Sequence, residues 1–404
     1  MAVIFPPYGG GSGGGGGGID SSGARGTLSA DTGGAQGWLT ALANRQHETA
    51  RVAVIGTSNT KGDQLTHWDD RFVNRLQFAL REQWDTPTEG GIGWITAYGD
   101  GTQYDRRSTT GTWNSQDGGG FGYAGATAAA TMTFQVPKGT SVELRYRNRQ
   151  TGSFTWAVDG GTATQVDVTG TSSAPKYYLN SLSIPLPADD NAHSITVAWV
   201  SGEVQVQGVV HYDGDEASGI QVGGFGQSGQ GTDNFVDDDF GLAYVSADQG
   251  VSLVALEFQG NDISAGNDKA AYKANLEAIM AIWDSRFTEM STPLPSYLLM
   301  SASPATDYQE DAGYMAIWQE YFDARNEIAQ ANPTRVFTAM YSDWMPVYWT
   351  DTSANGRDPI SGMPNNMDLL NSLLTAGHWK ANGHGLVADM MARHIGSAGQ
   401  IDQN

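Results

Sequence analysis

The sequence predicts an α/β fold built on a parallel sheet, with an all-β sandwich inserted into it. Three observations carry this. Apolar strand-like runs alternate with amphipathic helices near the start of the chain and again after residue 215. Between about 106 and 212 that rhythm gives way to short segments with period-two alternation. A glycine tract separates the first residues from all the rest. Strands alternating with helices require a parallel sheet covered on both faces, and alternating strands about 8–12 residues apart read as a sandwich. At 404 residues the chain exceeds what one core supports, so several domains are expected.

Residues 9–18, GGGSGGGGGG, are a flexible linker by composition. The residues before them, with Phe5-Pro6-Pro7-Tyr8, read as a short anchor, so 1–35 form an N-terminal anchor and tether. Order is expected from AQGWLTALANRQHETA, a helix with Trp38, Leu39, Leu42 and Ala43 on one side. Val52–Ile55 reads as a buried strand. HWDDRFVNRLQFALREQW reads as a helix, because Trp68, Phe72, Leu76 and Leu80 recur every four residues. These elements open an α/β domain over 36–105.

The sandwich is expected at 106–212. ATMTFQV, SVELRYRNR, SFTWAVDGG, TQVDVTG, HSITVAWV and EVQVQGVVHY are its strands. Val142, Leu144 and Tyr146 alternate with Glu143, Arg145 and Arg147, and Asp159-Gly160 and Ser201-Gly202 supply turns. The α/β domain resumes over 213–404. GIQVGGFG, VSLVALEFQG, SYLLMSASP and RVFTAMYSDW are strands. NDKAAYKANLEAIMAIWDSRF is a helix with Leu276, Ile279, Met280 and Trp283 inward. DAGYMAIWQEYFDARNEIAQAN and HGLVADMMARHI are also helices.

The bulk numbers exclude some classes. A formal charge of −22 repels phosphate backbones, so nucleic acid is not an expected partner. The absence of cysteine removes disulfide and thiolate chemistry. MAVIFPPYGGG lacks the basic and apolar regions of a secretory signal. No apolar run of about 18 residues suggests a membrane span. No HExxH, Walker or dinucleotide motif is present. Asp237-Asp238-Asp239 reads as an acidic surface loop rather than a Ca²⁺ site. No metal and no cofactor is expected.

Functional residues of an open parallel sheet gather beyond the C-terminal ends of its strands. Ser58 follows the first strand in VAVIGTSNTKG. Gly226 and Gly229 follow the next in GFGQSGQG, and Asn261 and Asp262 the third in QGNDISAG. Near the C-terminus, TAGHWKANGHG carries His378 and His384. A hydroxyl, a glycine turn, an amide and an imidazole are the parts of an acyl-transfer site. Each also has a bland reading. A serine after a strand is most often structural, Gly229 can serve a tight turn, and Asn261 can cap the next helix. Gly226 competes with Gly229. His384, at the start of a helix, competes with His378 but reads as a packing or capping residue. His47, His67, His193, His211 and His394 receive no role.

In order and context these four segments resemble the blocks of the SGNH (GDSL-type) hydrolases. The resemblance covers about 42–105 and 215–400, and it implies a flavodoxin-like three-layer fold. VIGTSNTKG resembles the first block, making Ser58 the nucleophile. VGGFGQSGQG resembles the second, with Gly229 as oxyanion glycine. FQGNDI resembles the third, with Asn261 as oxyanion amide, and HWKANGHGLVA the end of the last, with His378 as base. Together with the backbone N–H of Ser58, Gly229 and Asn261 would form the oxyanion hole. Two positions depart from the family pattern. Thr57 stands where the first block has Asp, and Thr375 stands where the last block has the Asp that orients the histidine. Three arrangements remain open: a Ser58–His378 dyad with a backbone carbonyl orienting the ring, a substitute acid such as Asp343, or an inactive site. The resemblance implies a serine esterase without metal. An inserted sandwich with exposed aromatics would suggest a cell-surface glycan, whose O-acyl or O-acetyl groups would be the substrate. The tether, the lack of a secretory signal and the insertion together resemble a phage minor tail protein. That implies a place on the virion, contact with other tail proteins through the N-terminus and, by analogy, a homotrimer. The alternative is a receptor-binding tail protein that has lost activity.

Overall fold

The computed structural model describes residues 32–63, 65, 67–84, 90–97, 106–116, 123–170, 179–214, 218–236, 241–300, 312–339, 374–375, 378–379 and 381–397. Helix α1 (Gln36–Asn44) leads into β1 (Ala50–Gly56), the short α2 (Ser58–Lys61) and α3 (Phe72–Trp84). Strands β2 (Gly93–Thr96), β3 (Arg107–Thr110), β4 (Asn114–Gln116), β5 (Tyr123–Ala126), β6 (Thr131–Val136), β7 (Ser141–Arg147), β8 (Gly152–Val158), β9 (Thr164–Val168), β10 (Leu179–Pro185), β11 (His193–Gly202) and β12 (Val204–Tyr212) follow. Then come β13 (Ile220–Gly226), α4 (Leu242–Asp248), β14 (Leu253–Glu257), α5 (Gly260–Ala265), α6 (Lys269–Glu289), β15 (Ser296–Met300), α7 (Ala312–Ala331), β16 (Val336–Ala339), β17 (Leu374–Thr375), β18 (His378–Trp379) and α8 (Ala381–Ser397).

The parallel sheet runs β13-β1-β14-β15-β16. Numbered along the chain within that sheet, the order is 2-1-3-4-5, the flavodoxin-like arrangement. Alternation along β1 sends Val52 and Val54 to one face, where Trp38, Leu42, Phe72, Leu76, Leu80, Met391 and Ile395 cover them. It sends Ala53 and Ile55 to the other, under Leu242, Val245, Leu276, Ile279, Trp283 and Tyr321. Helices on both faces therefore make three layers. In α1 the inward residues are Trp38 and Leu42, with Leu39 beside them; Ala43, expected on the same side, is exposed.

The sandwich sheets are β10-β7-β12-β5-β4 and β3-β6-β11-β8-β9. Met132, Phe134, Val142, Leu144, Phe154, Ile195, Val197 and Val206 fill the space between them. Asp159 and Gly160 have φ of 51° and 67°, the conformation an Asp-Gly hairpin turn requires.

Two features depart from a simple reading of the pattern. Strand β2, ahead of residue 106, pairs antiparallel with β12 and so joins the first sandwich sheet. Its Trp94 packs in the α/β core, 6.0 Å from the Phe225 ring, and its Ile95 in the sandwich core. The second face of this sheet is thus an interface rather than a wet surface. All nine residues of β12 are buried. Arg145, on the polar side of β7, is buried between Asp248 of α4 at 2.6 Å and Glu143 at 3.0 Å. Trp68 also differs. Arg71, with extended backbone, separates a 3-10 turn (Trp68–Asp70) from α3. Trp68 therefore leaves the face of Phe72 and enters the sandwich core.

Candidate active site

Strands β1, β13 and β14 end level: Gly56 is aligned with Gly226 on one side and Glu257 on the other. The residues that follow all rise from one sheet edge. This edge includes the β1–β14 boundary, where the strand order reverses and ligands of such sheets bind.

Thr57 is extended and Ser58 opens α2, which ends at Gly62 in the left-handed region. Ser58 is half-buried, while Thr57, Asn59, Thr60 and Lys61 are buried. Beneath this turn lies Glu257, fully buried at the end of β14. Its Oε2 accepts the Thr57 N–H at 2.9 Å, the Thr57 hydroxyl at 3.0 Å and the Thr60 hydroxyl at 2.9 Å. Burial pushes its pKa up to about 7, against the pull of these donors. Gly56 has to be glycine here, because a Cβ would lie 2.4 Å from Thr60 Oγ1 and 2.5 Å from Glu257 Oε2.

The two candidate glycines have different surroundings. A Cβ on Gly226 would lie 2.2 Å from the Lys61 backbone nitrogen and 2.5 Å from the Thr57 carbonyl oxygen, so its lack of a side chain lets β13 abut the Ser58 turn. Gly229 is exposed, has φ of +75°, and has open space around its Cβ position. Ser228, just before it, accepts from Lys61 Nζ at 3.1 Å and donates to Asp63 Oδ2 at 2.5 Å. Just after it, the Gln230 carbonyl accepts from Asn261 Nδ2 at 2.8 Å. An amide NH₂ carries two hydrogens, so Asn261 keeps one for a ligand. Its neighbour Asp262 is buried and accepts the Thr232 N–H at 2.9 Å and Asn267 Nδ2 at 3.1 Å. Burial raises its pKa. Below this loop, the buried Arg325 donates to Gln259 Oε1 at 2.8 Å and to the Phe258 carbonyl at 3.3 Å.

His378 is half-buried on the β17–β18 hairpin, with Thr375 directly across the ladder from it. The hairpin is tied to the Ser58 turn, because the Trp379 backbone N–H donates to Asn59 Oδ1 at 3.0 Å. Trp379 is fully buried, edge-on to Phe72 at 5.3 Å. His384 is buried too, and its Nδ1 accepts the N–H of Phe72, the first residue of α3, at 3.0 Å. Burial, then the Arg71 and Arg75 guanidinium groups, push its pKa down to about 3. It caps a helix as a neutral ring.

The structure therefore links the four motif-bearing segments in pairs: Ser58's turn with the Gly229 loop, that loop with Asn261, and the same turn with the His378 hairpin. Asp343 and Asp237-Asp238-Asp239 lie outside the described residues. Glu257, Lys61, Asp63 and Ser228 were not singled out from sequence. The available signals were a lone acid closing the apolar run VSLVALE, and the Ser-x-x-Lys spacing of Ser58 and Lys61. Among the described residues no group of three or more His, Asp or Glu side chains could hold a metal ion, and no helix is long and apolar enough to cross a membrane.

No protein-family model matches the sequence, and no curated protein does. Solved structures do resemble it. A peptidoglycan O-acetylesterase aligns over 90% of this chain and 97% of its own, at 20% identity and a TM-score of 0.61. Family two carbohydrate esterases from Clostridium thermocellum and Cellvibrio japonicus align over 68% and 76% of this chain, and 94% and 98% of their own. Their identities of 11% and 12% and TM-scores of 0.30 and 0.29 add no weight. Strand order, covering helices and the peptidoglycan O-acetylesterase likeness agree on one architecture: this chain has the α/β fold of the SGNH esterases, with additional β-sheet.

Proposed function

We propose that the chain is a serine esterase that removes O-acyl groups, acetyl first among them, from a cell-envelope glycan. The observation that carries this is the convergence of the Ser58, Gly229, Asn261 and His378 segments, bonded to one another, at one edge of the parallel sheet. His378 takes the proton of the Ser58 hydroxyl as its oxygen attacks the ester carbonyl. The tetrahedral oxyanion is held by the N–H groups of Ser58 and Gly229 and by Asn261 Nδ2; one such donor is worth about 2.7–4 kcal/mol in the transition state. The alcohol leaves with the proton from His378, and water then hydrolyses the acyl-enzyme by the reverse relay. The glycan as substrate is supported by the fold shared with a peptidoglycan O-acetylesterase. A place on a phage tail, with the N-terminus facing other tail proteins and a trimeric state, rests on the glycine tether and the insertion. Detection of the chain in purified virions tests it.

The chemistry is tested by acetate release from 4-nitrophenyl acetate and from O-acetylated peptidoglycan. Ser58→Ala should lower kcat by roughly 10⁴-fold or more. Wild type and variant equally inert on both would leave the second reading, an inactive receptor-binding protein, which Thr375 in place of an acid favours.

A further inference from the structure

We infer that Lys61, Asp63 and Ser228 are positioning residues that set the place of the Gly229 N–H relative to Ser58. This rests on the serine-esterase reading above and extends it to residues that touch neither substrate nor the reacting atoms.

Gly229 needs such a device. Its turn is exposed, and nothing lies within 4 Å of where its Cβ would be. No packing on that side holds its N–H in place, yet an oxyanion donor works only if it is fixed before charge develops. Directed polar contacts fix it instead. Lys61 lies three residues after Ser58, one turn along α2. Its side chain is 8% exposed, and its Nζ lies 3.1 Å from Ser228 Oγ and 3.4 Å from Asp63 Oδ1. A hydroxyl can accept and donate at once. Ser228 accepts from the ammonium and donates to Asp63 Oδ2, which closes a triangle of three side chains.

Two corners of the triangle belong to the nucleophile's own turn. The Asp63 N–H donates to the Ser58 carbonyl at 2.9 Å, as does the N–H of Gly62 between them. The third corner is the residue before Gly229. On the far side, Asn261 holds the Gln230 carbonyl. Gly229 is thus clamped at both neighbours, from the nucleophile on one side and from the third oxyanion donor on the other. A buried ammonium and a largely buried carboxylate hold such geometry more firmly than an exposed pair, because each loses solvation if the triangle opens.

The test uses the full chain and 4-nitrophenyl acetate. Ser228→Ala and Asp63→Asn should each lower kcat by roughly 10- to 100-fold, less than outright loss of a donor costs. KM should change little, because the misplaced donor matters only in the transition state. Affinity for a phosphonate transition-state analogue should fall in step with kcat/KM. Ser228→Thr, which keeps the hydroxyl, should recover most of kcat. Circular dichroism and the melting temperature separate misplacement from unfolding. The positioning role is overturned if Ser228→Ala and Asp63→Asn keep wild-type kcat, or if their loss equals the unfolded fraction. It is also overturned if KM and kcat/KM change together with kcat unaltered. An inert wild type removes the esterase reading and this role with it. Active wild type, dead Ser58→Ala and unaffected Ser228→Ala remove the positioning role alone.

Discussion

The Ser58 turn and the His378 hairpin are held in different ways. Ser58's turn is fixed from below by Glu257, from the side by the close approach of Gly226, and from above by the Lys61–Ser228 contact. The His378 hairpin pairs two residues per strand and reaches the turn through the Trp379 N–H to Asn59, with Trp379 buried against Phe72. Ser58, Gly229 and Asn261 follow strands of the sheet, whereas His378 sits on a short ribbon. The difference teaches that half of the site is a property of the sheet itself, and the other half depends on a few tertiary bonds.

Titration tests this contrast most strongly, because His384 beside the hairpin and Glu257 under the Ser58 turn respond to pH in opposite senses. His384, beside the hairpin, is pushed down to about 3, and His211 and His394 to about 4. Each is protonated more readily in the unfolded chain. Their stabilisation is complete above about 6.5 and is lost as pH falls toward the folded values. Glu257, under the nucleophile turn, is raised to about 7, so it gives stability back as pH falls from about 7 to 4.5. Each group changes stability by about 1.4 kcal/mol per pH unit inside its window. The three buried histidines outnumber Glu257 and the likewise raised Asp262, so stability should fall as pH drops below about 6. Glu257→Gln should steepen that fall. Urea unfolding from pH 7.5 to 5 measures it, and a flat profile would show that the buried rings gain protons without cost.

Next in size is the acceptor under the Ser58 turn. Glu257→Leu strips the Thr57 N–H and two hydroxyls of their partner. At pH 5, where the native carboxyl is protonated, it should cost about 2 kcal/mol of stability. Esterase kcat should fall more than tenfold as the turn relaxes. Glu257→Gln should recover most of both in denaturation and rate measurements. The smallest effect is expected at the tie between the regions. Asn59→Leu leaves the buried Trp379 N–H without its acceptor. It should cost about 1 kcal/mol and lower kcat roughly tenfold through a displaced base. If kcat is unaffected, the hairpin is held without that bond.

Much of the fold was legible because buried strands and one-sided helices write their periods into the chain. Val52–Ile55, the Leu276-Ile279-Met280-Trp283 face and the strands around Phe134, Leu144 and Phe154 all fall inward as the pattern requires. Trp68 misled, because a four-residue spacing persists across the break at Arg71 and periodicity is blind to it. Arg145 and Arg147 look like a wet face, yet they are buried, since a period of two gives sides and not what covers them. The sequence offered the candidate site as four separate segments, and the bonds that link them lie between residues far apart in the chain.

Sequence alone settled what is local: which runs are strands or helices, where the glycine tract lies, and which serine, glycine and asparagine stand beyond strand ends. The tertiary structure decided the rest. The Glu257–Thr57 bond spans 200 residues and the Trp379–Asn59 bond 320. Such contacts follow from strand order and level strand ends, which no local period encodes. They decide that a solitary acid at the end of an apolar strand becomes the support of the Ser58 turn, and that a lysine one turn past Ser58 meets the serine before Gly229.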